Sequence, residues 1–141
     1  VKVVVSAVRD ILRSDPTIIA LVGQDQNSIT KVYRVGRVPP GTEAPYIVYQ
    51  RISGVRPEGT YLDYRSIEIP EVQITAWGRN GDEAWDIFNA IQEALEIGDW
   101  NASLTPYSLL RMIRTGDELE LPDQDTGLVQ VPSTYSVAVT R

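Results

Sequence analysis

The sequence predicts an α+β domain: a mainly antiparallel sheet with helices packed on one face. Three observations lead there. The run from Val72 to Ile91 changes hydrophobic period in its middle. Apolar residues recur every second position up to Trp77, and every third or fourth from Ala84, so a strand feeds a helix through a short polar turn. Two strand-like runs, 108–114 and 128–139, follow that helix with only an acidic loop between them, which makes an antiparallel hairpin the default. Two helical patterns precede all the strands.

Residues 3–13 carry Val4, Val8, Ile11 and Leu12 at helical spacing, although the β-branched Val3-Val4-Val5 is a poor helix start. Asp15 as N-cap and Pro16 at the first helical position open a second helix through Ile18, Ile19 and Leu21-Val22. Gly23 is a suitable stop. Gln24 to Thr30 is polar and loop-like, and Lys31 to Val35 is a short strand. Three prolines and a glycine make 38–45 a turn or extended loop.

Tyr46 to Ile52 is a strand, apolar on both faces at its start. Residues 54–65 form a long connection or hairpin tip. Ser66 to Trp77 is the longest strand. Its apolar parity switches from odd (Ile67, Ile69) to even (Val72, Ile74, Ala76) across Pro70-Glu71, which predicts a bulge there. The helix over 81–97 presents Ala84, Ile87, Phe88, Ile91, Ala94 and Leu95 as one stripe, capped by Asn80 with Glu83 as partner and ended by Gly98.

A chain of 141 residues with 43% hydrophobic content suffices for one folded domain with a real core. No apolar run nears the roughly 20 residues needed to cross a bilayer, and the N-terminus shows no signal-peptide pattern. The chain has no Cys and no His. That removes disulfides, thiolate metal sites, Cys nucleophiles and His-based acid–base chemistry. Charge is uneven. Residues 1–65 balance at +3 and residues 66–141 at −9, for a net −6. So acidic a chain is a poor general nucleic-acid binder, because phosphate contacts need Lys and Arg.

Chemical motifs are few. The glycines of Val35-Gly36-Arg37 and Gly78-Arg79-Asn80-Gly81 lack phosphate-loop spacing and suit ordinary turns. Asp123-Gln124-Asp125-Thr126-Gly127 has acids at alternate positions before a glycine, but the twelfth residue from Asp123 is Thr134 rather than the Glu a calcium loop needs. Asp82 and Glu83 sit in a first helical turn, where acids belong electrostatically. No cofactor, metal or catalytic residue is expected. Trp77, Trp85 and Trp100 are either core-edge or contact residues.

Several segments, in order, resemble the bacteriophage tail terminator (tail completion) proteins of long-tailed phages. They are Ile18 to Gly23, Val32 to Val35, Ala44 to Tyr49 with Arg51-Ile52-Ser53, and Val72 to Trp77 leading into Ala84 to Leu95. The resemblance implies a structural virion protein at the head-proximal end of the tail, assembled in the host cytoplasm. It implies a ring, hexameric in such proteins, that caps the tail tube and ends its polymerisation. The partners implied are other copies of itself, the tail tube protein and a neck or head-completion protein, with transient non-specific passage of DNA and no membrane. A different connector or neck ring, a monomeric binding module, and an enzyme using only carboxylates are the alternatives.

On that reading Tyr33, Arg34, Arg37, Arg56, Tyr61, Tyr64 and Arg65 are candidates for subunit or tube contacts, since Tyr and Arg are favoured at interfaces. Asp117, Glu118, Glu120, Asp123 and Asp125 are candidates for lining the lumen or a ring face, where negative charge would let DNA slide without sticking.

Overall fold

The computed structural model describes residues 2–55, 67–115 and 119–140. Its elements run α1 (Lys2–Ser14), α2 (Pro16–Val22), β1 (Val32–Arg34), β2 (Tyr46–Val55), β3 (Ile67–Gly78), α3 (Gly81–Ile97), α4 (Trp100–Leu104), β4 (Ser108–Thr115), β5 (Leu121–Pro122) and β6 (Val129–Thr140). The sheet order is β1-β2-β3-β6-β4, with β5 also paired to β6. Only β1–β2 is parallel among these pairs; β2–β3, β3–β6, β4–β6 and β5–β6 are antiparallel. The chain is an α+β fold, as the periodicities predict.

The helices cover one sheet face. That face carries Ile47 and Tyr49 of β2, Val72, Ile74 and Ala76 of β3, and Val131, Tyr135, Val137 and Val139 of β6, all buried. The β3–β6 register pairs Ile74 with Ser133 and Val72 with Tyr135, so the buried sets align across the ladder. Facing them, Ala84, Ile87, Phe88, Ile91 and Leu95 of α3 join Val4, Val8, Leu12 and Ile18 in one continuous cluster. Alternate residues on β3 therefore decide which face is core and which is open, as a period of two requires.

Local chemistry supports each helix. The Asp15 carboxylate accepts from the backbone N–H of Thr17 and Ile18 at 2.9 and 3.1 Å. The Asn80 side chain accepts from the Glu83 N–H at 2.9 Å, and Glu83 in turn accepts from the Arg79 N–H at 3.0 Å. Glu83 thus reaches back one residue before the cap, where a capping box would place its return bond on the cap itself. Gly98 ends α3 for a packing reason: a Cβ there would lie 2.7 Å from Ile11 Cγ2 and 2.8 Å from the Ala94 carbonyl oxygen. Gly78 is similar, since a Cβ would meet the Ala84 backbone nitrogen at 2.6 Å. The strand can therefore turn into α3 only with glycine at that corner.

Three features differ from the sequence expectation. The bulge lies in β2 rather than at Pro70-Glu71. Arg51 pairs with Val72 and Ser53 with Glu71, leaving Ile52 as the extra residue. β3 itself keeps one parity and an unbroken register with β6: Pro70 is buried in line with Val72 and Ile74, and Ile69 is half-buried on the other face. A one-turn helix, α4, forms after Gly98, capped by Asp99 and anchored by buried Trp100, whose indole N–H donates to the Leu95 carbonyl at 2.8 Å. The acidic segment between the last two long strands contains β5, so it is partly sheet. The expected connection over 54–65 lies mostly outside the described residues.

Candidate protein-interaction surfaces

Carboxylate chemistry has little geometric support among the described residues. Among those residues no group of three acids is placed to hold a metal ion. A 430 Å³ cleft between α1–α2 and α3–α4 is lined by Asp10, Asp15 and Asp99. Each carboxylate is already engaged: Asp10 by Arg9, Asp15 and Asp99 as helix caps. Among the described residues, two carboxyl groups are perturbed, and both are shifted downward. Glu83 is lowered first by its hydrogen bond from Arg79. Asp25 is lowered first by the Ile29 backbone N–H. A general acid working near neutrality needs the opposite shift.

The open sheet face is a better candidate for contact. Trp77 points there, away from Ile74 and Ala76, and stacks on Tyr46 with ring centroids 6.0 Å apart. Around this pair are half-buried Val48, Gln50, Gln73 and Thr75. The Gln50 amide donates to the Gln73 carbonyl at 2.6 Å. Trp85 lies beside the α3 stripe, edge-on to Phe88 at 5.2 Å, with its indole N–H on Glu120. Trp100 is core. The three tryptophans therefore have three different roles.

The candidate contact residues at 33–37 separate. Tyr33 is 6% exposed and its hydroxyl donates to Asp25 at 3.4 Å. It holds the adjoining loop in place and presents little surface of its own. Arg34 and Arg37 are exposed at the end of β1. Arg34 pairs in register with Tyr49, placing it on the helix side of the sheet edge. There it lines a 260 Å³ cleft with Val5, Ser6, Arg9, Tyr49 and Arg51. The convergence of Arg9, Arg34 and Arg51 is invisible in the sequence, where they are 25 and 17 positions apart in turn. Only the α1–β1–β2 packing joins them. The pKa of Arg9 is raised, chiefly by its hydrogen bond to Asp10 and further by the Tyr49 hydroxyl. Arg56, Tyr61, Tyr64 and Arg65 lie outside the described residues.

The acidic candidates separate as well. Asp117 and Glu118 lie outside the described residues. Glu120 accepts from Trp85 and packs against Gly81, so it ties the β5 segment to the start of α3. Asp123 organises its own turn, accepting from the Asp125 N–H at 3.1 Å and the Thr126 hydroxyl at 2.9 Å. Asp125 is exposed at the turn. Burial, and then the charge of Asp123, raise the pKa of Tyr46, so this turn faces the Tyr46 end of the sheet.

Comparison with known proteins fits a tail component. The family model described as tail completion protein gp17 matches residues 6–140. Among curated proteins no sequence matches this chain. A solved structure described as the virion of a native gene transfer agent (GTA) particle contains a chain of the same fold. The TM-score is 0.71 at 19% identity, covering 95% of this chain and 92% of that one. With the family model matching nearly the whole length, the chain belongs to the tail completion protein gp17 family and is a structural protein of a phage-type tail.

Proposed function

We propose that this protein is the tail terminator. Copies assemble as a ring, six by resemblance to the family, on the head-proximal end of the tail tube. The ring stops further tube polymerisation and offers its opposite face to a neck or head-completion protein, and DNA passes through its centre. The observation that carries this reading is the family match over residues 6–140. The sheet face opposite the helices with its Tyr46–Trp77 stack, and the exposed Arg34 and Arg37, supply contact surface of suitable composition.

Net charge suits the role. A ring of chains at −6 each surrounds its channel with negative potential, which repels the phosphate backbone and lets DNA move without adhering. The acidic group Asp117, Glu118, Glu120, Asp123 and Asp125 belongs on a ring face or lumen in this scheme, and Arg56, Tyr61, Tyr64 and Arg65 at subunit or tube contacts.

Electron microscopy of particles made without this protein tests the reading. Over-long tubes and unjoined heads are expected. Tails of normal length joined to heads would refute it. Replacing Arg56, Tyr61 and Tyr64 together by alanine should impair assembly, and normal joining in that variant would remove those residues from the interface.

A further inference from the structure

The charge asymmetry of the sequence reaches two places on the sheet, the β1 edge and the turn after β5. The basic first half supplies β1 and β2 at one edge; beyond β6, the acidic segment around β5 borders its Val129 end, while β4, with Arg111 and Arg114, borders the other end. At the β1 edge, Arg9, Arg34 and Arg51 converge on one cleft around the buried Tyr49. Arg9 is paired with Asp10, while no ion pair is found for Arg34 or Arg51 among the described residues. Val35, 49% exposed, adjoins them. At the β5 edge, Asp125 stands exposed on the turn that Asp123 organises, beside Leu119 and Leu121 at 55% and 36% exposure. The Arg34–Arg51 cleft and the Asp125 turn thus each combine accessible aliphatic surface with charge that has no ion pair among the described residues, and the two charges are opposite.

We propose that the Asp125 turn of one copy docks in the Arg34–Arg51 cleft of the next, which takes Asp125 out of the ring-face or lumen group and into the subunit contact. This deepens the terminator reading and rests on it. The physical case is complementarity within a single chain. Guanidinium groups bind carboxylates through paired, planar hydrogen bonds, and three converging on one cleft form a site for an oxyanion. An isologous contact would bring arginine to arginine across a two-fold axis. A heterologous contact brings arginine to aspartate, and repetition of such a contact closes a ring when the rotation permits. The strands beside the two sites suit a side-chain contact: β1 has three residues and β5 two, too short to template continued strand pairing, and the eight-residue β4 borders the other end of β6.

Cysteine cross-linking reads the contact directly, because the chain has no cysteine of its own. Arg34→Cys and Asp125→Cys are introduced separately and together, and tails containing the protein are treated with a short bis-maleimide. Such a linker is needed because an arginine–carboxylate pair holds its backbones beyond the roughly 7 Å reach of a disulfide. The chain carrying both cysteines should yield a ladder of covalent multimers. A mixture of the two single variants should yield dimers only. Arg34→Asp with Arg51→Asp should lower assembly by roughly tenfold or more, and Asp125→Arg should restore much of it.

Cross-linked dimers of the Arg34→Cys variant alone would overturn the heterologous contact. So would the absence of cross-links in tails of normal length carrying the protein, although the terminator reading would stand. Loss of affinity for duplex DNA in the arginine variants, with assembly unchanged, would also overturn the proposal and give the cleft to phosphate. Failure of the terminator reading itself would appear separately, as normal tails in particles lacking the protein.

Discussion

Gly98→Ala separates two effects that a glycine substitution normally mixes. Gly98 has φ −63° and ψ 151°, a conformation alanine adopts without strain. Reduced freedom of the unfolded chain would then favour alanine by about 0.4–1 kcal/mol. The packing opposes it. The new Cβ would sit 2.7 Å from Ile11 Cγ2, 3.2 Å from Ile11 Cδ1 and 2.8 Å from the Ala94 carbonyl oxygen. Ile11 is 7% exposed and locked in the core, and the carbonyl belongs to the last turn of α3, so neither can retreat freely. Overpacking of this kind costs about 1–3 kcal/mol. The net expectation is destabilisation by about 1–2 kcal/mol, or a fall in Tm of roughly 3–8 °C for a chain of this size.

Urea unfolding at neutral pH, followed by tryptophan fluorescence, measures it. A double-mutant cycle with Ile11→Ala identifies the cause. With both Ile11 contacts removed and only the carbonyl contact left, Gly98→Ala should cost at least about 0.5 kcal/mol less than in the wild type. The same substitution should disturb the cleft at Arg9, because Ile11 and Arg9 lie on the same helix. A more stable Gly98→Ala protein would refute the packing argument and show that α1 yields easily. An unchanged cost in the Ile11→Ala background would place the strain on the carbonyl alone.

Other outcomes follow from the caps and the acidic loop. Asn80→Ala removes the acceptor for the Glu83 N–H and should cost about 1 kcal/mol, seen as a lower urea midpoint with an unchanged slope; an unshifted midpoint would contradict the cap. Glu83 and Asp25 have folded pKa values lowered from 4.5 and 3.8, so their contribution is present above those values and is lost as pH falls through the folded ones. The urea midpoint should therefore decline below about pH 4.5, and Glu83→Gln should flatten that decline; an equally steep decline in the variant would remove Glu83 as a source. Trp85→Phe keeps the ring against Phe88 but deletes the bond to Glu120, so amide exchange over 119–128 should quicken while the β3–β6 ladder stays protected. Unchanged exchange in the loop would mean that β5 pairing alone holds it.

The helices were legible because their signals are local. Asp15-Pro16, Asn80 with Glu83, and the Ala84–Leu95 stripe act within a turn or two of chain, and the structure places each where the pattern does, except that Glu83 accepts from Arg79 rather than from the cap. The outward direction of Trp77 was legible for the same reason, since parity in a strand fixes the face. The bulge was misplaced because parity is a property of one strand, whereas a bulge belongs to a pair. Nothing within Ser66 to Trp77 says that Ile52, on the neighbouring strand, takes up the extra residue. Tyr33 carries the composition of a contact residue, and only the fold reveals that its hydroxyl is turned to Asp25.

The order of residues is enough for the α+β class, the element order apart from α4 and β5, most of the core residues, and the family to which the chain belongs. These rest on periodicity, capping and segment order, each readable along one dimension. Packing settles the sheet order, which puts β6 between β3 and β4 and so sets the Arg34 edge on the far side of the sheet from the Asp125 turn. It also decided that Arg9, Arg34 and Arg51 share a cleft. Charge in a sequence gives a sum, and only packing turns that sum into surfaces with a position and a sign.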